Sequence, residues 1–137
     1  MKTMKQILKT VLVVAITAFF ASSCEKDKHV PPSMSFKTTA GYTSSDGIAA
    51  RNTAILVGVT GEKQEDDMTM YNVSVAYDGA STTTTFLSYP IPGANQQHFD
   101  KDVTFVTRNQ AGTEKWTFTI TDADGNIAQK QIVLTVN

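Results

Sequence analysis

From Ser33 onward, apolar and polar residues alternate along the chain, which favours β-strands and excludes long amphipathic helices. In the stretch KWTFTITDADGNIAQKQIVLTVN, the apolar residues Trp116, Phe118 and Ile120 alternate with Lys and Thr. After a Gly-containing turn the alternation returns at residues 132–136. Two such runs around a short turn predict a β-hairpin at the end of the chain.

Similar alternation near residues 71–77 and 99–105 predicts further strands, and a first strand is predicted near residues 34–38. NTAILVGVT is more continuously apolar, which predicts a central strand covered on both faces. STTTTFLSY is rich in Thr, which predicts an exposed strand near a sheet edge. About seven short strands separated by turns predict an all-β domain over residues 33–137, an immunoglobulin-like antiparallel β-sandwich, with a small barrel as the alternative.

The amino terminus differs from the rest of the chain. Lys2, Lys5 and Lys9 precede an apolar run from residue 11 to residue 21, and small residues follow it. A basic head, an apolar middle and a small-residue exit are typical of a secretory signal peptide. The run is about half of the roughly 20 apolar residues needed to cross a bilayer. Residues 1–23 are therefore predicted to be a signal peptide.

The sequence Ala21-Ser22-Ser23-Cys24 resembles a bacterial lipobox, although Leu is commoner than Ala at the first position. The resemblance implies cleavage before Cys24, a diacylglyceryl group on its thiol, and a fatty acyl group such as palmitate on its new amino group. Several acyl chains anchor a protein stably to a membrane. Residues 24–32, charged and then Pro-rich, are predicted to be a flexible tether.

Two acidic residues of the tether, Glu25 and Asp27, resemble the signal that exports Bacteroidetes-type lipoproteins to the cell surface. Here they alternate with Lys26 and Lys28, so a merely solvated run of charges stays equally open. The predicted location is the bacterial outer membrane, with the orientation of the domain left undecided.

Charge and cysteine content exclude some classes of protein. Three of the twelve Lys and Arg residues lie in residues 1–23, which leaves nine basic against thirteen acidic residues and a net charge near −4. That balance argues against a nucleic-acid partner. With Cys24 as the single cysteine, no intramolecular disulfide can form, so stability must come from an apolar core.

The closing hairpin resembles the last two strands of bacterial immunoglobulin-like and PKD-like domains. The residues that carry the resemblance are 114–122, Asp124-Gly125-Asn126 and 127–136. With GYTSSDG after the first strand, the chain resembles the small single-domain lipoproteins of Bacteroidetes. It lacks the cysteine pair of antibody domains, and Trp116 lies on the penultimate strand.

The turn DADGN carries the strongest metal-like pattern in the domain. Asp122, Asp124 and Asn126 place oxygen donors at alternate positions, as calcium loops do. The same residue types also form ordinary tight turns, so a plain turn is the favoured prediction. The acidic loop at residues 62–67 would add ligands only if the fold brought it to this turn.

The sequence contains few residues suited to catalysis. His98 is the single histidine beyond the tether, and the strand alternation aims it, Asp100 and Asp102 away from the core. HExxH, GxSxG and phosphate-loop motifs do not occur. The chain is predicted not to be an enzyme and to hold no cofactor beyond its acyl groups.

A binding role would need exposed aromatic side chains. Trp116 is predicted to belong to the core, whereas Tyr42 and Tyr89 are the candidate ligand contacts, with packing over the core edge as the alternative for each. The main hypothesis is a membrane-anchored, non-catalytic binding module for a glycan or an envelope protein. The alternative is a structural lipoprotein that assembles by strand-edge pairing, for example through the Thr-rich strand.

Overall fold

The structure is a computed structural model that describes residues 29–137. The predicted signal peptide, Cys24 and the first part of the tether lie outside the described residues. Eight strands occur in the described part: β1 Ser33–Phe36, β2 Gly47–Ala49, β3 Ala54–Glu62, β4 Met68–Tyr77, β5 Thr84–Pro90, β6 His98–Val106, β7 Gly112–Asp122 and β8 Ile127–Val136. One turn of 3-10 helix, Gly93–Asn95, lies between β5 and β6.

The strands form two sheets packed face to face, which confirms the immunoglobulin-like sandwich and excludes the barrel alternative. The smaller sheet has the order β1-β3-β6 and is antiparallel. The larger has the order β2-β8-β7-β4-β5. Its β2 strand runs parallel to β8, and its other pairs are antiparallel.

Strand β2 was not predicted, because three residues are too few to show an alternation. The chain first follows the small sheet, where the Thr43 N–H donates to the Leu56 carbonyl over 2.8 Å. It then crosses to the large sheet, where the Asp46 carboxylate accepts a hydrogen bond of 2.8 Å from the Val133 N–H. This crossover places Gly47–Ala49 beside β8 and adds an eighth strand to the seven expected.

The core lies between the sheets and contains the inward row of each long strand. The largest fully buried apolar side chains include Tyr71, Phe99, Phe118 and Ile120. Trp116 is 2% exposed, so its predicted core position is confirmed. Strand β3 is central in its sheet and β5 is an edge strand, as their compositions predicted.

The strand register defines two ends of the sandwich. At one end, here called the base, Ser33 pairs with Glu62 and Glu62 pairs with His98. The tether enters the domain here. At the opposite end, here called the top, lie the β4–β5 turn and the β6–β7 loop, joined where the Asp78 N–H donates to the Thr113 carbonyl over 2.9 Å.

Within residues 29–137, no helix has the length and apolar character needed to cross a membrane.

Candidate functional site

Tyr42 lies on the outer face of the small sheet, in a group here called the outer-face cluster: Lys37, Tyr42, Asp100 and Asp102. The Tyr42 hydroxyl donates to Asp102 Oδ2 over 2.8 Å. Lys37 Nζ lies 2.6 Å from Asp100 Oδ1, 2.8 Å from Asp102 Oδ1 and 5.4 Å from the Tyr42 ring centroid. The polar groups of the cluster therefore bind one another.

The electrostatics of the outer-face cluster follow from these bonds. Hydrogen bonds to Asp100 and Asp102 raise the pKa of the Lys37 ammonium, and the bond to Asp102 raises the pKa of the Tyr42 phenol. The pKa of Asp102 is lowered, first by Lys37 and then by Tyr42. All three shifts stabilise the protonation states present at neutral pH.

Gly58 makes room for the outer-face cluster. It lies on β3, opposite Asp102 in the register, and is buried although it faces outward. A Cβ atom at Gly58 would lie 2.5 Å from Lys37 Cδ and 2.7 Å from Tyr42 Cε1. The two side chains thus cover the backbone of the central strand, which accounts for the predicted burial of β3 on both faces.

Tyr89, the second predicted ligand residue, lies on β5 and packs against the core rather than in a loop. Its ring centroid is 6.4 Å from that of Phe99, and Lys101 Nζ lies 4.1 Å above the ring. Phe99 points into the core, whereas Asp102, the partner of Tyr42, points outward from the same strand. The structure therefore places Tyr42 and Tyr89 on opposite faces of β6.

The DADGN turn has the hydrogen bonds of an ordinary Asx turn. Asp122 is buried, and its Oδ1 accepts bonds of 3.1 Å from the Asp124 N–H and 2.8 Å from the Asn126 N–H. Its Oδ2 accepts a bond of 3.0 Å from Asn126 Nδ2. These contacts use both Asp122 oxygens within the turn.

The acidic loop after β3 does lie beside this turn. The Ala123 N–H donates to the Asp67 carbonyl over 2.9 Å, which puts both segments at the base. The Asp67 carboxylate is 2.8 Å from Lys63 Nζ. In the described part of the chain, no three or more His, Cys, Asp or Glu side chains are grouped closely enough to hold a metal ion.

His98 and its neighbours point to solvent, as the alternation predicted. His98 lies beside the Glu62 carboxylate, and both side chains are more than half exposed. Asp100 and Asp102 also face outward but bind Lys37, a contact that the sequence did not predict.

An aromatic surface that the sequence analysis missed lies between the edge strands β5 and β6, toward the top. It is here called the aromatic flank: Tyr77, Phe86, Phe105 and Trp116. The rings of Phe105 and Trp116 are stacked at 3.6 Å, and Phe86 meets Trp116 edge-on at 5.3 Å. Phe86 is 48% exposed, whereas the two rings beneath it are buried.

A β-bulge aims Phe86 at these rings. Val73 pairs with Leu87, but the next residue, Ser74, pairs with Thr85, so Phe86 is an extra residue in β5. Bulges bend a strand and redirect a side chain. Phe86 consequently turns toward Trp116, and one part of its ring stays in solvent.

A buried carboxylate supports the flank from below. Glu114 is 0% exposed, and its Oε2 accepts a bond of 3.0 Å from the Trp116 indole N–H. Its Oε1 accepts a bond of 2.8 Å from the Arg108 N–H and lies 3.9 Å from Arg108 Nε. A buried charge with these partners fixes the orientation of the indole.

Arg108 connects Glu114 to Tyr77, at the exposed end of the flank. Its guanidinium carbon lies 4.8 Å from the Tyr77 ring centroid, and its Nη2 donates to Asp78 Oδ1. The pKa of Asp78 is lowered, first by Arg108 and then by the hydrogen bond from the Thr113 N–H. Tyr77 is 37% exposed and forms the upper end of the flank.

A weak signal for this site was present in the sequence. Phe86 is the only aromatic residue in STTTTF, which was correctly assigned to an edge strand. The bulge that turns its side chain inward depends on pairing with β4, so no local pattern marks it. A period of two puts Glu114 on the same face as Trp116, but its role depends on the β6–β7 loop, which supplies its backbone donor.

No protein-family model and no curated protein matches the chain. Solved structures match it at low identity. A chitin-binding domain from Burkholderia pseudomallei has a TM-score of 0.52 and 10% identity, with coverage of 69% of this chain and 58% of that chain. This similarity shows the sandwich fold alone.

Two further solved structures are more distant. The SrpA adhesin from Streptococcus sanguinis has a TM-score of 0.49 and 15% identity, with coverage of 81% of this chain and 57% of that chain. Murine CRIg has a TM-score of 0.44 and 12% identity, with coverage of 79% and 99%. This chain thus spans less than two thirds of both bacterial structures.

Proposed function

We propose that the chain is a lipid-anchored protein of the bacterial outer membrane, acylated at Cys24, whose sandwich is a non-catalytic binding module for a glycan or a protein. One observation carries the binding role: Phe86 is held half exposed on a buried aromatic stack. Exposed aromatic side chains on rigid supports are typical contacts of ligand surfaces. A chitin-binding domain has the same fold, which is compatible with this role.

The position of the flank fits a tethered module. The tether of residues 24–32 can span at most about 30 Å and enters at the base. Strand β4, ten residues long, extends roughly 30 Å from base to top. An anchor at Cys24 would therefore place the base toward the membrane. Tyr77, at the top, would face away from the membrane, and Phe86 would lie between Tyr77 and the base.

The alternative role, assembly through the edge of β5, has less support from the geometry. The bulge at Phe86 bends this strand, and Pro90 lacks the N–H that an added strand would need. Edge strand β6 carries the inward-facing Lys101, another feature that discourages pairing. A binding surface of side chains is thus favoured over strand addition.

The binding role is tested with the full chain, purified from membranes in detergent and screened against glycan and protein panels. Phe86→Ala should abolish a specific signal. Ile48→Ala is the matched control, because Ile48 is 77% exposed on β2, the opposite edge of the same sheet. An equal loss of binding in both variants, or a loss of binding in neither, would contradict a ligand surface at Phe86.

The lipid anchor is tested separately by growth with labelled palmitate. The wild-type chain should carry the label and sediment with membranes, and Cys24→Ala should do neither. Label that survives in Cys24→Ala would refute acylation at this residue. Protease treatment of intact and permeabilised cells would then show whether the domain faces outward or into the periplasm.

A further inference from the structure

The aromatic flank has an apolar centre and an uncharged hydroxyl rim, and together they specify a class of ligand. The exposed part of the Phe86 ring is the centre. Its edge-on contacts with Trp116 at 5.3 Å and Phe105 at 6.2 Å restrict the ring to one orientation. A ligand would therefore meet a preformed apolar surface.

The rim consists of hydroxyl groups. All side chains from Ser81 to Thr85 are exposed, and within residues 29–137 none of them makes a side-chain hydrogen bond. Hydroxyls both donate and accept, so they suit partners that present many hydroxyls of their own. A purely apolar partner would leave them unpaired.

The charge around the flank is balanced. The sequence between Asp78 and His98 contains no Asp, Glu, Lys or Arg. Two cations contact aromatic rings along β5, β6 and the top: Arg108 is ion-paired with Asp78 and lies over Tyr77, and Lys101 lies over Tyr89. The predicted net charge near −4 of the mature chain would repel an anionic ligand.

We infer that the aromatic flank binds a neutral saccharide, with one sugar face stacked on Phe86 and its hydroxyls bonded to the Thr-rich rim; this rests on the proposed binding function. A pyranose ring presents C–H groups on one face and hydroxyls at its edge. The C–H groups complement the electron-rich face of an aromatic ring. The hydroxyls match Thr82 to Thr84 in chemistry, and Thr84 pairs with the core residue Val75, on the face toward which Phe86 turns.

The test uses the full chain in detergent and oligosaccharides of matched length: neutral hexose, neutral N-acetylhexosamine, uronic acid and sulfated. A neutral series should bind, with affinity unchanged between low and high salt, because no ion pair is made. Phe86→Ala should weaken binding about tenfold or more, since the stacking surface is lost. Phe86→Tyr should retain most of it.

One control variant and one variant of the rim accompany Phe86→Ala. Ile48→Ala removes exposed apolar surface on the opposite edge and should bind like the wild type. Thr84 lies on the face toward which Phe86 turns; Thr84→Val keeps the side-chain shape, removes this rim hydroxyl and should lower the affinity several-fold. Thermal unfolding of each variant identifies any that fail to fold, and Phe86→Tyr then carries the comparison.

Preference for the acidic series, or neutral binding that Phe86→Ala leaves intact, would overturn the saccharide inference. Protein binding that requires Phe86, with no saccharide bound, would also overturn it while the proposed binding function stands. Absence of both glycan and protein binding would overturn both.

Discussion

The outer-face cluster and the aromatic flank each contain an aromatic side chain that is at least partly exposed, but they differ in what remains open to a partner. In the cluster, the Tyr42 hydroxyl binds Asp102, and Lys37 joins both to Asp100. In the flank, Phe86 contacts buried rings on one side and solvent on the other. The polar groups of the cluster therefore bind one another, whereas the flank presents part of an aromatic ring to solvent.

The comparison shows that exposure of an aromatic residue is a poor guide to ligand binding until its contacts are known. The sequence predicts Tyr42 and Tyr89 as ligand contacts because Tyr42 follows the first strand in a loop and Tyr89 lies in the Pro-containing segment SYPIPG. Both are engaged by their own chain, through Asp102 and Lys101 respectively. Their role in ligand binding stays a prediction, and the geometry favours Phe86.

The largest loss of stability is expected for Glu114, the buried carboxylate beneath the aromatic flank. Glu114→Ala would leave the Arg108 and Trp116 N–H donors without their acceptor in a buried site. We expect the free energy of unfolding to fall by about 3 kcal/mol. Urea denaturation measures this, with Glu114→Gln as the control that keeps one acceptor oxygen. A loss below about 1 kcal/mol for Glu114→Ala would contradict the supporting role.

A smaller loss of stability is expected for a substitution at Gly58, which lies beneath the outer-face cluster. Gly58→Ala would force Lys37 and Tyr42 off the strand, at a cost of about 1–2 kcal/mol. Ligand binding at the flank should not change. The control is Gly47→Ala, because no atom lies within 4 Å of a Cβ built there, and its stability in urea should equal or exceed that of the wild type.

Stability at acid pH depends on one carboxylate in each of the two regions. The pKa values of Asp102 in the cluster and Asp78 at the flank are both lowered in the folded state. Groups with depressed folded pKa values stabilise the fold above the unfolded value of about 3.9, and this stabilisation is lost as pH falls through the folded pKa. The free energy of unfolding should therefore decline below about pH 4.

Asp102→Asn and Asp78→Asn should each make that decline shallower, because each removes one titrating group. Both carboxylates are about half exposed, so the effect of either is modest. Unfolding measured across the acid range at constant salt tests this. Slopes identical to the wild type in both variants would contradict the assignment.

The smallest effect is expected for a hydroxyl that neither region uses. Tyr71 is fully buried, burial raises the pKa of its phenol, and within residues 29–137 its hydroxyl has no hydrogen-bond partner. Tyr71→Phe should change stability by less than about 0.5 kcal/mol or increase it, since a buried polar group without a partner is removed. A clear loss in thermal unfolding would reveal a partner for the hydroxyl.

Much of the fold could be predicted because strands leave a local mark. Alternation identified β4, β6, β7 and β8, and composition placed β3 in the centre of a sheet and β5 at an edge. It could not identify β2, whose three residues gain their structure from β8 and from Asp46. Acylation of Cys24 and the membrane location stay predictions that the described residues do not test.

The sequence by itself determined the layered β-architecture, the core position of Trp116 and the outward direction of Asp100 and Asp102, because a period of two assigns each side chain to a face. Tertiary structure alone decided which faces meet. It joined Lys37 and Tyr42 to Asp102 across 60 residues or more, and it turned Phe86 inward through a bulge. Such contacts depend on register and crossover between strands far apart in the chain, which local periodicity does not encode.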